Sequence, residues 1–215
     1  MAFKATGSGS GLVGELSNLG DDRMAQLEAP GFEMGRSGRS FVGGHSLIAG
    51  AISPVSDLPT TTAPMVLFNS APTTGNKCLV VKRLSFSYST SGTISAFGSV
   101  LFAGVTPSKL ATALVANGAT NFRTQATRGT GTALGFVDVA KTIAQPTWQL
   151  LGGIVHGAET TMSIGYTVDL SSHPYVVQPQ FALAFGVLSA IDTVGATTPL
   201  YILSVAWDEC EATLP

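Results

Sequence analysis

Three histidines are the residues of this sequence best suited to metal or acid–base chemistry. They are His45, His156 and His173, and no two of them have the short spacing that zinc ligands on one element adopt. A convergence of all three inside a barrel is the alternative. We expect His173, which precedes Pro174, to lie in a turn that enters a strand. The sequence therefore predicts no metal site.

Two acidic clusters are the next candidates. Asp21 and Asp22 suit the start of a short helix, where carboxylates are favourable. Asp208 and Glu209 follow the last apolar run, where exposed charge is the default, and calcium binding there is the alternative. A glycosidase would need two carboxylates beside aromatic platforms. Trp148 and Trp207 instead alternate with apolar strand neighbours, which predicts that both pack in the core.

One glycine-rich motif and two arginines complete the candidates. Residues 9–14 read GSGLVG, but no strand precedes them, so the turn needed to hold a dinucleotide is not predicted. Arg36 and Arg39 form a basic spot, yet residues 1–64 carry four basic and six acidic side chains. This balance disfavours a nucleic-acid-binding arm. We therefore expect no catalytic residue, no cofactor and no enzyme.

The composition points to a protein whose surface is covered by other subunits. Of 215 residues only 11% are charged, against about 25% in ordinary soluble domains, and the net charge is −2. This balance predicts no specific nucleic-acid partner, and no apolar run is long enough to predict a membrane span. Cys78 and Cys210 do not form a disulfide framework and are expected to be reduced thiols in a protein made in a cytoplasm.

The chain is predicted to divide into an extended arm, residues 1–64, and a β-domain, residues 65–215. Eleven of the 25 glycines fall within residues 1–50, and apolar residues there follow no sustained period. Such a segment cannot build its own core, so we expect it to dock on a neighbouring subunit. The expected docking anchors are Leu12, Leu16, Met24, Leu27, Phe32, Phe41, Leu47 and Ile48.

From residue 65 onward the apolar residues alternate with a period of two, which predicts strands. The predicted strands cover residues 65–69, 77–88, 94–105, 132–137, 148–155, 162–168, 175–187 and 200–207. Pro179 predicts an edge or a bulge within the seventh run. Leu203 and Trp207 are expected on one buried face of the last predicted strand, residues 200–207. Short strands separated by Gly, Pro, Ser and Thr predict an antiparallel sandwich or barrel.

Charge is segregated along the predicted β-domain. Residues 77–141 contain seven basic side chains and one acidic, whereas residues 142–215 contain six acidic and no basic ones. Either adjacent strands pair these charges within one subunit, or the two segments form complementary faces between subunits.

Several runs together resemble the jelly-roll virion proteins of tailed bacteriophages. At the start of the β-domain, LFN at residues 67–69 precedes KCLVVKRLSFSYSTSGT at residues 77–93. Towards its end, VDL at residues 168–170 precedes VVQP, ALAF and the closing LYILSVAWDE at residues 200–209. The resemblance covers about residues 65–211. It implies an antiparallel β-sandwich of jelly-roll type behind the N-terminal arm, and it supplies no catalytic residues.

The function implied is that of a non-enzymatic virion protein, made in the host cytoplasm. We expect a capsid decoration, or cement, protein that forms homotrimers and binds the major capsid protein through its arm and β-domain. One alternative is a spike, fibre-base or receptor-binding virion protein, which would share the fold. The other is a cupin-like or lectin-like binder.

Overall fold

Eleven β-strands make up the regular secondary structure of the described residues, and these residues contain no helix. The structure is a computed structural model and describes residues 39–44, 52–74, 77–88, 97–110, 120–121, 134–156, 165–191 and 200–211. The strands are β1 Ser40–Gly44, β2 Thr62–Asn69, β3 Lys77–Tyr88, β4 Phe97–Val105, β5 Thr120–Asn121, β6 Gly135–Thr142, β7 Gln149–His156, β8 Gly165–Asp169, β9 Tyr175–Val177, β10 Ala182–Ile191 and β11 Tyr201–Glu211. The prediction of an all-β chain is confirmed.

The strands form two antiparallel sheets. Sheet A has the order β5-β1-β11-β3-β8, with β9 also paired to β3, and sheet B has the order β6-β2-β10-β4-β7. All the strand pairings are antiparallel. Consecutive strands therefore pass repeatedly from one sheet to the other, and the chain's last strand lies in the middle of sheet A.

The main hydrophobic core contains side chains from both sheets. Its largest fully buried members are Trp207, Tyr201, Phe41, Phe86, Phe185, Met65, Leu67, Leu79 and Leu84. Leu203 and Trp207 are both 1% exposed and belong to this cluster, so the prediction that they share a buried face is confirmed. Burial of alternate residues from two facing sheets is what the period-two pattern required.

Strand β3 has the bounds that the alternation predicted, but it contains a bulge. Val81 pairs with Trp207 and Arg83 pairs with Ala206, so Lys82 is an extra residue in the ladder. A bulge reverses which residues of the strand face the core. Leu79 and Val81 belong to the main core before the bulge, and Leu84, Phe86 and Tyr88 belong to it after the bulge.

The outer face of sheet B carries a second, smaller core. Its buried members are Ala63, Val66, Phe68, Phe136, Ile143, Ala182 and Ala184. Trp148 packs over it, with its ring edge-on to Phe102 at 5.0 Å between centroids. The indole N–H of Trp148 donates to the carbonyl of Pro59 at 2.9 Å, so the segment that precedes β7 covers this part of the outer face.

Part of the segment predicted to be an arm belongs to the β-domain of its own chain. Strand β1 pairs with β11 from Ser40 opposite Asp208 to Gly44 opposite Ser204. Ile52 then exchanges backbone hydrogen bonds with Tyr201, both at 2.8 Å. The boundary expected at residue 65 is therefore wrong for residues 39–44 and 52–64.

The run predicted as one strand at residues 175–187 crosses between the sheets. Strand β9 pairs with β3 in sheet A, whereas β10 lies in sheet B. The break falls at Pro179 and Gln180; Gln180 has a left-handed φ of 71°. Proline cannot donate to a ladder, which is why Pro179 signalled an interruption.

Asn69 ties this crossing to the rest of the chain. Its side-chain amide, which is fully buried, donates to the carbonyls of Lys77 and Val177, both at 2.9 Å. Its side-chain oxygen accepts from the N–H of Ala71 at 3.0 Å, and its backbone carbonyl accepts from Gln180. The side chain of Asn69 thus joins the ends of β2, β3 and β9.

Replacing Asn69 by Ala is expected to lower the free energy of unfolding by about 2–4 kcal/mol. The change leaves two carbonyls and one N–H without their partner, and each unsatisfied buried group costs about 1–3 kcal/mol. Urea unfolding of the purified protein measures the loss. The matched control is Gln178→Ala, an exposed side chain on the same crossing, which should change stability by about 0.5 kcal/mol or less. Equal effects would show that the Asn69 hydrogen bonds contribute nothing.

Candidate assembly surface

The segregated charges lie opposite each other on neighbouring strands of sheet A. Strand β3 carries the basic residues and lies between β11 and β8, which carry acidic ones. Lys77 stands opposite Glu211, and Arg83 stands opposite Asp169. The Lys82 ammonium forms an ion pair with the carboxylate of Asp208. For the described strands, the intrachain interpretation of the charge split is therefore the one that the geometry favours.

The acidic cluster at the end of β11 does not converge on one point. Asp208 is 3% exposed and accepts a hydrogen bond from the Ser40 hydroxyl at 2.5 Å, beside its ion pair with Lys82. Glu209 projects to the opposite face, where its Oε1 accepts from the N–H groups of Leu134 and Gly135 at 2.6 and 3.0 Å. The two carboxylates therefore do not form the calcium site that was the alternative, because successive strand residues point to opposite faces.

The remaining chemistry candidates form no cluster within the part of the chain that the structure describes. His173 is exposed, with its Nδ1 atom 3.1 Å from the Ser172 hydroxyl, and His156 ends strand β7. His45, Arg36 and the motif at residues 9–14 lie outside the described residues. Among the residues that are described, no three His, Cys, Asp or Glu side chains form a group able to hold a metal ion.

Phe41 is the one expected docking anchor that the structure describes. It is 1% exposed, and its ring stacks on Trp207 of the same chain with centroids 5.8 Å apart. The expectation that Phe41 docks on a neighbour is therefore wrong, because this side chain completes its own core. The other expected anchors, which are Leu12, Leu16, Met24, Leu27, Phe32, Leu47 and Ile48, lie outside the described residues.

A buried hydroxyl cluster lies inside the sandwich and was not anticipated from the sequence. The Tyr201 hydroxyl contacts the Ser99 hydroxyl and lies 3.1 Å from that of Tyr88. Burial raises the pKa of Tyr201 far above its ordinary value, so the phenol stays protonated. The three hydroxyls satisfy one another, and their arrangement is that of a core hydrogen-bond network.

The outer edge of sheet B formed by β7 is the most unusual surface of the described chain. In the described residues, β7 pairs with β4 on one side and has no strand on the other. Leu150 is 59% exposed and Val155 is 75% exposed. Both stand opposite residues of β4 that face away from the main core, so they share the outer face of this edge. We call Leu150, Gly153 and Val155 the β7 strip.

The β7 strip also lies in an uncharged stretch of the sequence. No Lys, Arg, Asp or Glu stands between Lys141 and Glu159. Exposed strand edges are ordinarily protected by charges, prolines or bulges, because an unprotected edge accepts another strand. Strand β7 has a bulge at Leu151, but it has neither a charge nor a proline.

The opposite edge of the same sheet shows the usual protection. On β6, Asp138 and Lys141 form an ion pair at 2.9 Å. Ala140 stands opposite Pro64, where the ladder is interrupted, and has a left-handed φ of 51°. One edge of sheet B is thus charged and distorted, whereas the other is apolar. Among the described residues, β7 is therefore the less protected of the two edges of sheet B.

Comparison with known proteins found no protein similar to this chain. No family model matches it, and no curated protein and no solved structure is significantly similar to it. The described residues also contain no helix that is long and apolar enough to cross a membrane. The strand topology and the β7 edge are therefore the features that bear on function.

Proposed function

We propose that this chain is a non-enzymatic structural protein of a virus particle, in which a jelly-roll domain assembles with copies of itself and decorates the capsid. In this proposal the chain forms a homotrimer, binds the major capsid protein and is located in the virion. The observation that carries it is the order in which the strands pair.

The pairing is that of a long hairpin rolled into two sheets. Eight strands form the two main arrays: β1, β2, β3, β4, β7, β8, β10 and β11. The first pairs with the eighth, the second with the seventh, the third with the sixth and the fourth with the fifth. Rolling then brings β11 beside β3 and β10 beside β4. This pairing supports the proposal of a jelly roll, an architecture common in viral capsid proteins.

The β7 strip supports self-association. A second copy of the chain is the occupant we propose, because the uncharged strip can approach a neighbouring copy without like-charge repulsion. Leu150 and Val155 would supply apolar area, and the free backbone groups of β7 would supply hydrogen bonds. The low charge content of the whole chain, 11%, agrees with a protein whose surface is largely shared with other subunits.

Attachment to the capsid is assigned to residues 1–38. These residues contain Leu12, Leu16, Met24, Leu27 and Phe32, five of the anchors expected from the sequence. Apolar anchors on a glycine-rich segment suit docking onto another protein, since each buried apolar Å² contributes about 25 cal/mol against the entropy of ordering.

The direct test is to count copies of the chain in particles purified from a culture that produces it from its native genome. Hundreds of copies per particle are expected for a decoration protein. A few copies, at a vertex or tail, would replace this role by that of a spike or receptor-binding protein. Absence of the chain from the particles would overturn the virion role itself.

Charging the β7 strip is expected to disassemble the oligomer without unfolding the domain. The double variant Leu150→Lys and Val155→Lys should weaken association at least about tenfold, because like charges across strands and lost apolar contacts each cost up to about 1 kcal/mol. Analytical ultracentrifugation measures the association, and urea unfolding at a concentration where both proteins are monomeric verifies the fold.

The matched control is Val176→Lys, an apolar side chain of β9 on sheet A that is 48% exposed. This variant should keep the wild-type oligomeric state. If the β7 variant also keeps it, or if the wild-type chain is a monomer, the β7 edge is not an interface between copies.

A further inference from the structure

Cys78 and Cys210 stand directly opposite each other in the ladder between β3 and β11. Both are free thiols in the structure. Their neighbours Leu79 and Val81 face the main core, so Cys78 lies on the outer face of sheet A. Side chains of directly opposed residues share one face, and the two thiols therefore project side by side.

The backbone spacing at this pair fits a disulfide. The N–H of Glu209 donates to the carbonyl of Arg39 at 2.8 Å, towards the β1 side of β11. The N–H of the next residue, Cys210, consequently points towards β3, which makes Cys210 and Cys78 a hydrogen-bonded pair. Such pairs have Cα atoms about 5.5 Å apart, and disulfides usually span about 4.4–6.8 Å between Cα atoms.

Formation of the disulfide requires only a small approach of the two strands, and this approach occurs near their ends, where the sheet can adjust. Opposed Cβ atoms lie about 4.5–5.5 Å apart, and a disulfide needs about 3.5–4.5 Å. Because a hydrogen-bonded pair lies at the wide end of the first range, the two Cβ atoms must approach by about 1–2 Å. Lys77 and Glu211, one residue beyond the pair, are the ends of β3 and β11, so few further ladder bonds have to adjust.

We propose that Cys78 and Cys210 form an intrachain disulfide when the protein meets an oxidising environment, and that this bond locks β11 to β3. Its basis is the strand register, so it is independent of the proposed function. The reduced state suits synthesis in a cytoplasm, and the oxidised state suits a protein that later leaves it.

The chemistry is thiol–disulfide exchange with a small-molecule disulfide as the oxidant. The thiolate of Cys210, the more exposed residue, attacks one sulfur of the oxidant and releases one small thiol. The thiolate of Cys78 then attacks the Cys210 sulfur of the mixed disulfide and releases the second. The protein loses two protons and two electrons, and the oxidant is reduced to two thiols.

Local charges and burial make the exchange slow near neutral pH. Burial raises the pKa of the Cys78 thiol, and burial together with the Asp208 carboxylate raises that of Cys210. Lys82 and Arg39 oppose this shift at Cys210 but do not reverse it. Because the thiolate is the nucleophile, the rate of disulfide formation should rise as the pH rises towards these pKa values.

The bond would close a loop from residue 78 to residue 210. Cross-links that close long loops restrict the unfolded chain most, so the gain in stability should be large. For a domain of this size we expect the melting temperature to rise by about 5–15 °C.

The test uses the full chain, purified under reducing conditions and transferred to reduced and oxidised glutathione at about pH 8.5. Thiol titration should fall from two thiols per chain to none, and the intact mass should fall by two hydrogens. A non-reducing peptide map should join the Cys78 and Cys210 peptides, and the melting temperature should rise and return after reduction.

Two single variants, Cys210→Ser and Cys78→Ala, serve as controls. In each, the remaining thiol should form a mixed disulfide with glutathione at most, and the melting temperature should not rise. Two thiols that stay reduced in the wild-type chain, or a disulfide that joins two chains, would overturn the proposal. An intrachain disulfide without a rise in melting temperature would overturn the locking role.

Discussion

A chain that lacks residues 1–60 is expected not to fold, whereas a chain that lacks only residues 1–38 is expected to keep the β-domain. The longer deletion removes β1, which covers one side of the central strand β11. It also removes Phe41 from its stack on Trp207 and the backbone bonds of Ile52 with Tyr201. Loss of one buried phenylalanine alone costs about 3–5 kcal/mol, a large part of a typical stability of 5–15 kcal/mol.

Circular dichroism and thermal unfolding of the two truncated chains measure this difference. The shorter deletion should change the melting temperature by a few degrees at most and should abolish attachment to particles. If the longer deletion melts like the full chain, β1 is not part of the stable core. If the shorter deletion still decorates particles at full occupancy, the attachment surface lies in the β-domain.

The sequence predicted the elements whose side chains alternate clearly. In β3 the pattern gave both bounds, because buried and exposed side chains follow each other over a long strand. Pro179 marked the place where the chain changes sheets, because its missing N–H cannot take part in a ladder. The bulge at Lys82 was not predictable, since it depends on the register with β11.

Strand β1 was missed because its sequence, SFVGG, looks like part of a glycine-rich arm. The two glycines are instead needed for packing. A Cβ atom on Gly43 would lie 2.7 Å from a methyl group of Val137, and one on Gly44 would lie 3.2 Å from the carbonyl oxygen of Leu203. Glycine content alone cannot distinguish a flexible segment from a strand that lies against a crowded core, because glycine is common in both.

The contacts of the segregated charges and the exposure of the β7 strip both depend on the order of the strands in the sheets. The basic and acidic side chains can be counted from the sequence, but which of them meet depends on the position of β3 between β11 and β8. Likewise, the run QLLGGIVH was predicted as a strand, but only the sheet order shows that it is an edge. Exposure of Leu150 and Val155 follows from that position and not from their type.

Replacing Trp207 by Ala is expected to lower the free energy of unfolding by about 3–5 kcal/mol. The indole is 1% exposed and lies between Phe41 and the backbone of Gly135. Gly135 has no room for a Cβ atom, which would lie 2.6 Å from the indole ring. Removing the ring therefore leaves a cavity at the point where β1, β6 and β11 meet, and a backbone fixed in the ladder of β6 cannot easily move to fill it.

The comparison that tests this account is Trp148→Ala, measured by urea unfolding beside Trp207→Ala. Trp148 is half-buried on the outer face of sheet B, so its loss opens a site that water can enter and should cost about 1–2 kcal/mol. Trp207→Phe retains an aromatic ring and should lose less than Trp207→Ala if cavity volume is the cause. Equal losses for the two alanine variants would mean that Trp207 is not the centre of the core. The stack of Phe41 on Trp207 would then not be what holds β1 beside β11 in the proposed jelly roll.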